Sequence, residues 1–397
     1  MKIVIFGGTF NPIHNGHVRV VSHIHDKLKP DRLILMPDHI PPHKPADSLL
    51  PDIHRLNMCR LAVSEIPGVE VSDYEMGIEG KSYTVNTLEH FKSLYPSDEL
   101  YFVVGSDMLK SFPRWYRSDR ISELATLLCF SRTGDDGEEL EKSAQRVKDE
   151  LGTRCILLGC EPAQVSSTAV RAMLYSKSNS GGMIPVKVEE YIHKNNLYNF
   201  DKSRYNRYVQ YLRENLSEKR FTHSMNVADE ALLLAGLNDC DLDKAYFAGL
   251  VHDICKEIPF DKQLELVKRS EFPVDTVELN APKTYHGIAG AVYLKESFGV
   301  TDTEVLSAVR YHTVAKGGMT TLEKIVYIAD LISAEREYPG VDEMRECARR
   351  DLNLGMYEAM KFSVSYSCAH VRTIPACTLA AYNEYTSYRL SLEKSDK

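Results

Sequence analysis

The sequence predicts two different architectures in series: an α/β first half built on an open parallel sheet, then an all-α second half. Three observations carry this. From Met1 to about Asn199, short apolar runs alternate with helical patterns. From Asp201 onward the strand pattern disappears and only helical periodicity is left. The first apolar run also leads straight into Gly7-Gly8-Thr9-Phe10-Asn11-Pro12-Ile13-His14-Asn15-Gly16-His17, a turn suited to feeding a helix that handles phosphate.

The runs Lys2–Phe6, Arg32–Met36, Leu100–Val104, Leu127–Ser131 and Arg154–Leu158 are short and apolar, as buried parallel strands are. Arg55–Ile66 and Thr84–Leu94 read as helices between them. This alternation places ligands at the strands' C-terminal ends, and Gly7, Gly105 with Asp107, and Arg132 fall just past such ends. The second half reads as helices over Lys202–Leu216, His223–Leu234, Leu242–Asp253, Asp261–Arg269, His286–Glu296, Asp302–Tyr311, Leu322–Ser333, Val341–Tyr366 and Leu379–Leu390. The segment Asn195–Asn199 reads as the seam, giving expected domains of 1–199 and 200–397.

Composition narrows the classes. The chain has 397 residues, 43% hydrophobic and 26% charged, an ordinary soluble balance with core enough for two domains. A net charge of −8 argues against general nucleic-acid binding. Nine scattered cysteines with no CxxC pair suggest reduced thiols in a cytoplasmic protein. No apolar run approaches a membrane span, and the start lacks a signal peptide's longer apolar core.

In the first turn, Gly7 and Gly8 allow close backbone approach to a phosphate, with Thr9 and Phe10 following. His14 and His17, three apart, face one side of the first helical turn and can donate to phosphate oxygens. Val165-Ser166-Ser167-Thr168-Ala169-Val170-Arg171 follows the last strand; its hydroxyls suit a helix cap and a phosphate, with Arg171 one turn along.

Together these motifs resemble the nucleotidylyltransferase superfamily, whose sheet is Rossmann-like. The match tightens to bacterial nicotinate-mononucleotide adenylyltransferases through Ile40-Pro41-Pro42-His43-Lys44, Ser82-Tyr83-Thr84-Val85, Val103-Val104-Gly105-Ser106-Asp107-Met108, Trp115-Tyr116 and Ser131-Arg132. Asn11, often Asp, and Thr133, often Pro, depart from that pattern. The resemblance implies adenylyl transfer from ATP, with Mg²⁺, to nicotinate mononucleotide. His14 and His17 would hold phosphates, and Lys44 and Arg171 would offset charge on pyrophosphate. Asp107 would bind ribose, Trp115 would stack on the pyridine, and backbone N–H groups near Thr84 and Tyr116 would read the carboxylate. Preference for acid over amide rests on the resemblance alone.

The helical half carries His223, His252-Asp253, His286, His312 and Asp330, spread over separate helices or their ends. Asp330 is the only charged residue in Ile325–Ile332, and a carboxylate in an apolar helix needs a metal, a cation or water. Imidazole and carboxylate without thiolate suit Fe, Mn, Co or Zn. The order H…HD…H…H…D resembles the HD-domain metallophosphohydrolases, and most closely their bacterial symmetrical diadenosine tetraphosphatases. Arg220-Phe221-Thr222-His223-Ser224, His252–Lys256, Arg310–Thr313 and Glu335-Arg336 with Pro339–Asp342 support it. The resemblance implies two metals, with iron suggested, bridged by Asp253, and cleavage of diadenosine tetraphosphate into two ADP. Lys256, one turn past Asp253, is a candidate to stabilise the leaving ADP. Hydrolysis of another nucleotide, or nucleotide binding without turnover, is the alternative for this half. Homo-oligomerisation is left open.

Overall fold

The computed structural model describes residues 1–41, 49–78, 80–131, 137–160, 165–177 and 181–395. The chain divides into two compact units: Met1–Arg171 with Asn179–Tyr198, and Asn199–Lys397 with Ala172–Ser178.

The first unit holds a six-stranded parallel sheet: β1 (Lys2–Gly8), β2 (Arg32–Pro37), β3 (Val69–Val71), β4 (Glu99–Gly105), β5 (Ala125–Phe130) and β6 (Cys155–Leu158). Its order is β3-β2-β1-β4-β5-β6. Strand order therefore reverses between β1 and β4, which pair in parallel from Lys2↔Glu99 to Ile5↔Phe102. The crevice beyond their C-terminal ends is where doubly wound sheets bind nucleotides. The central strands are apolar on both faces and fully enclosed, Ile3, Val4, Ile5, Val103, Val104, Leu127 and Leu128 among them. The strand β3 escapes the sequence pattern because three residues on an edge show no period. The helix expected at Arg55–Ile66 runs instead over Asp52–Ala62, starting after Pro51, which has no N–H to leave unpaired.

The second unit is helical throughout its regular structure. Its core joins the helices Glu218–Leu237, Leu242–Val251, Tyr285–Phe298, Thr303–Tyr311 and Thr321–Ile332. His223 does not open its helix as expected: Ser217 is the N-cap, and His223 lies in the second turn. The single helix expected over Val341–Tyr366 is two, Val341–Arg350 and Leu352–Ala369. Asp351 breaks it, in extended conformation, with its carboxylate accepting from the N–H groups of Asn353 and Leu354 at 2.8 and 3.1 Å. The two helices then cross tightly, since a Cβ on Gly355 would stand 2.6 Å from Ala348 Cα. Among the described residues no helix is long and apolar enough to cross a membrane.

Candidate functional sites

In the first unit, β1 ends in Gly7 and Gly8, and neither has positive φ. Their lack of side chains serves packing: a Cβ on Gly7 would lie 3.1 Å from the Phe102 ring, and one on Gly8 would lie 3.0 Å from the Phe10 ring. The left-handed residue of the turn is Phe10, with φ 46°. Phe10 is buried and sets its ring edge-on to His17 at 5.0 Å. Its ring thus supports an imidazole of the motif.

His14 caps the helix Asn15–Leu28, and the His14 and His17 rings stack at 3.6 Å. The His14 N–H donates to His17 Nδ1 at 3.2 Å. That bond makes Nδ1 the acceptor and leaves the His17 proton on Nε2, a donor fit for a phosphate oxygen. The helix start itself offers fewer N–H groups than its sequence suggests, because Asn15 N–H goes to Met183 O at 2.8 Å and His17 N–H to His14 O at 2.9 Å.

The second motif folds onto the first. Ser166 Oγ accepts from Ala169 N–H, capping the helix Ser167–Tyr175. Ser167 Oγ donates to Pro12 O at 2.9 Å, and Arg171 donates to Asn11 O at 2.8 Å and to Thr168 Oγ1 at 3.3 Å. Asn11 Oδ1 in turn accepts from the Tyr198 hydroxyl at 2.6 Å. Gly105 closes β4, and Asp107 lies exposed in the next helical turn, beside the β1 end.

Thr84 opens the helix Thr84–Leu94, and its neighbour Tyr83 packs on Tyr116 at 4.8 Å. Trp115 is half-buried against Phe112, its indole N–H donating to Ser111 Oγ at 3.3 Å. Lys44, Arg132 and Thr133 lie outside the described residues.

Sequence reading missed Arg55. Its fully buried guanidinium donates to the carbonyls of Leu50 (3.1 Å), Thr9 (2.9 Å), Asp38 (2.6 Å) and His39 (3.0 Å), and pairs with Asp52. One side chain thus fastens the β1 turn to the loop after β2. An arginine on an otherwise ordinary helix gave no sign of this.

In the second unit the six expected ligands converge. Imidazole centroids run His223–His252 at 5.1 Å, His252–His312 at 4.9 Å and His312–His286 at 5.1 Å. Asp253 lies against them, with Oδ1 3.2 Å from His286 Nε2 and 3.5 Å from His312 Nε2, and Oδ2 3.7 Å from His252 Nε2. Asp330 Oδ1 stands 2.9 Å from His223 Nε2. Two glycines make the approach possible. A Cβ on Gly249 would meet Ala228 Cα and Ala231 Cβ at 3.0 Å, and one on Gly287 would meet Arg310 O at 3.1 Å.

Four compact groups of donors emerge among the described residues, and three belong here: His223–His252–Asp253, His252–His312–Asp330 and Asp253–His286–His312. His252 Nδ1 donates to Gly249 O and His312 Nδ1 to Val309 O, each at 2.7 Å. Nε2 of both rings is therefore a bare lone pair, buried, with no hydrogen-bond partner among the described residues. Orphaned inward lone pairs with the opposite ring nitrogen fixed are what metal-binding histidines require, so these residues fit a metal. Burial pushes His252 down to about 4 and His286 well below the usual range, which keeps both neutral. Burial works to raise the Asp253 carboxyl, but the charge around it, with the Lys256 ammonium 3.4 Å from Oδ1, outweighs burial and holds it well below the carboxylate range. Burial and Asp253 push the nearby Cys255 thiol up to about 12, so it stays uncharged.

Sequence reading quoted Glu335, Arg336 and Arg220 without giving them roles. Glu335 accepts from His223 Nδ1 and from Asn226 Nδ2. Arg336 reaches Asp330 Oδ1 at 2.6 Å, and Arg220 reaches Asp253 Oδ2 at 3.3 Å.

The two constellations define a class: a nucleotidyl-transfer sheet domain coupled to a histidine–aspartate metal domain. Family models agree, a Cytidylyltransferase-like one over residues 5–173 and an HD domain over residues 220–335. A probable nicotinate-nucleotide adenylyltransferase of Clostridium tetani is 36% identical over 197 residues, 50% of this chain and 98% of the relative. A probable nicotinate-nucleotide adenylyltransferase/Ap4A hydrolase of Mycoplasma genitalium is 29% identical, covering 91% of this chain and 97% of its own. A crystal structure from Clostridium acetobutylicum, titled a predicted HD superfamily hydrolase involved in NAD metabolism, is 36% identical. It covers 46% of this chain and 97% of its own, with a TM-score of 0.45. The chain belongs to the nicotinate-nucleotide adenylyltransferase family in its first half and carries an HD domain in its second.

Proposed function

We propose a bifunctional enzyme. The first half, 1–199, joins nicotinate mononucleotide to the α-phosphorus of ATP, releasing pyrophosphate and giving nicotinate adenine dinucleotide for NAD synthesis. The second half, 200–397, cleaves diadenosine tetraphosphate symmetrically into two ADP in the cytoplasm. The observation that carries the second reading is the pair of orphaned Nε2 lone pairs, on His252 and His312, converging on Asp253. The first rests on HxGH and the Ser-Ser-Thr turn being bonded into one surface, with Ser167 on Pro12 and Arg171 on Asn11.

In the first site a phosphate oxygen of nicotinate mononucleotide attacks the α-phosphorus, and the bond to pyrophosphate breaks in line. Such transfer needs positioning and charge neutralisation more than covalent help. His17 Nε2–H and His14 donate to phosphate oxygens, while Arg171, Lys44 and the Mg²⁺ carried by ATP offset the leaving charge. Asp107 holds ribose, Trp115 stacks on the pyridine, and N–H groups near Thr84 and Tyr116 read its carboxylate. Gly7, Gly8, Thr9, Gly105, Arg132 and Ser166 complete the nucleotide surface.

In the second site His223, His252, Asp253, His286, His312 and Asp330 would hold two ions, read as iron, which supply an activated water and neutralise phosphoryl charge. Asp253, which like His252 and His312 sits in two of the donor groups, would help to hold the ions. Lys256 offers its ammonium to the departing ADP. The test is two assays on the full chain. His17→Ala abolishes adenylyl transfer and spares tetraphosphate cleavage; Asp253→Ala does the reverse. If either substitution removes both activities, the reading of independent sites fails.

A further inference from the structure

Three cationic side chains reach into the six-residue donor set; Arg220 meets only Asp253 Oδ2, at 3.3 Å, whereas Lys256 and Arg336 each meet an imidazole as well as a carboxylate. Lys256 Nζ lies 2.9 Å from His286 Nε2 and 3.4 Å from Asp253 Oδ1. Arg336 Nη2 lies 2.6 Å from Asp330 Oδ1 and 3.5 Å from His223 Nε2. Each nitrogen touches one imidazole and one carboxylate, and the two pairs share no member. His286 and His223 are the two end rings of the imidazole row. Arg336 is anchored from behind, its Nε donating to Asp330 O at 2.9 Å. Both side chains stay in touch with solvent, Lys256 at 27% and Arg336 at 34% exposure.

A dication on those donor atoms and an ammonium or guanidinium within about 3 Å of the same oxygen repel each other strongly. We propose that Lys256 and Arg336 compete with the metal ions for their ligands, one at each end ring of the imidazole row, and that metal binding turns both heads outward to hold phosphate oxygens. Metal loading would then create the anion-binding surface, since neither cation is available to phosphate while paired with the donors. Flexible Lys and fork-shaped Arg both suit phosphate once released. The phosphate role rests on the phosphohydrolase reading above; the competition does not.

The test titrates Mn²⁺ into the chelator-treated full chain, comparing wild type with Lys256→Gln and Arg336→Gln. Losing a charge-assisted competitor tightens one of the two Mn²⁺ sites about tenfold in each variant. A merely structural role gives the opposite sign, so unchanged or weaker Mn²⁺ binding overturns the proposal. With Mn²⁺ bound, each variant then binds inorganic phosphate and ADP about tenfold more weakly than wild type; undiminished binding overturns the outward turn. Lys256→Arg and Arg336→Lys keep the charge and keep near-wild-type Mn²⁺ affinity, which separates competition from misfolding. A wild-type enzyme that leaves diadenosine tetraphosphate intact while the Mn²⁺ shifts hold would sink the substrate reading and leave the competition standing.

Discussion

Replacing Arg55 by methionine tests how the first site is held together. The arginine side chain is fully buried and donates to four backbone carbonyls, those of Thr9, Asp38, His39 and Leu50, besides pairing with Asp52. Methionine fills a similar apolar volume but donates nothing. A buried acceptor left without its partner costs about 1–3 kcal/mol. Even at the lower bound for each carbonyl, the loss is about 4 kcal/mol, in line with the ~3–5 kcal/mol seen when one member of a buried pair is removed. A domain with ~5–15 kcal/mol of stability is left near its margin. Trp115 is the chain's only tryptophan and lies in the first unit, so its fluorescence reports that unit alone. With a urea slope of ~2 kcal/mol/M, the unfolding midpoint falls by about 2 M. Arg55→Lys recovers part of this, because one ammonium cannot span both loops. Adenylyl transfer also falls under conditions where the variant is folded, since Thr9 and His39 lose their common anchor. A midpoint drop under about 0.5 M (roughly 1 kcal/mol) would refute the claim that this guanidinium clamps the turns.

Further outcomes concern the helical unit. Gly249→Ala places a Cβ 3.0 Å from Ala228 Cα, so the helices bearing His223 and His252 must part. This costs about 1–3 kcal/mol and lowers bound metal, read by thermal unfolding and elemental analysis. Glu335→Gln removes the carboxylate that orients His223 and weakens metal binding about 10- to 100-fold in a chelator competition assay. The pH dependence of that variant has a fixed sign. Burial works to raise the Glu335 carboxyl, but bonds from His223, Asn226 and Ser333 bring it to about 2 from the usual 4.5. Its contribution is complete above pH 4.5 and is lost as pH falls toward 2, so the difference in unfolding midpoint between wild type and Glu335→Gln shrinks over that window. Cys255, buried with its thiol pushed up to about 12, escapes alkylation at pH 8 in the native chain, whereas exposed Cys368 reacts; peptide mass mapping checks both.

The order of elements and the identity of the donors were legible in one dimension because each follows a local rule. Apolar runs too short for helices made β1, β2, β4, β5 and β6 visible, while β3, three residues on an edge, has no period to read. Asp351 hid a break inside a helical pattern, because capping by its carboxylate competes with helix continuation only when the chain turns there. His223, His252, Asp253, His286, His312 and Asp330 stood out as residue types poorly suited to an apolar bundle without a partner. Their convergence was another matter. It depends on Gly249 and Gly287 letting helices close to contact distance, on carbonyls of Gly249 and Val309 fixing two tautomers, and on Glu335 reaching His223 from 112 residues away. Arg55 likewise looks like any helical arginine until four carbonyls from three separate stretches of chain surround it. Sequence determined which groups could donate, accept or ligate, since that is a property of each side chain. Tertiary structure alone decided which of them face one another, because a lone pair or a charge takes its function from what packing brings within about 3 Å of it.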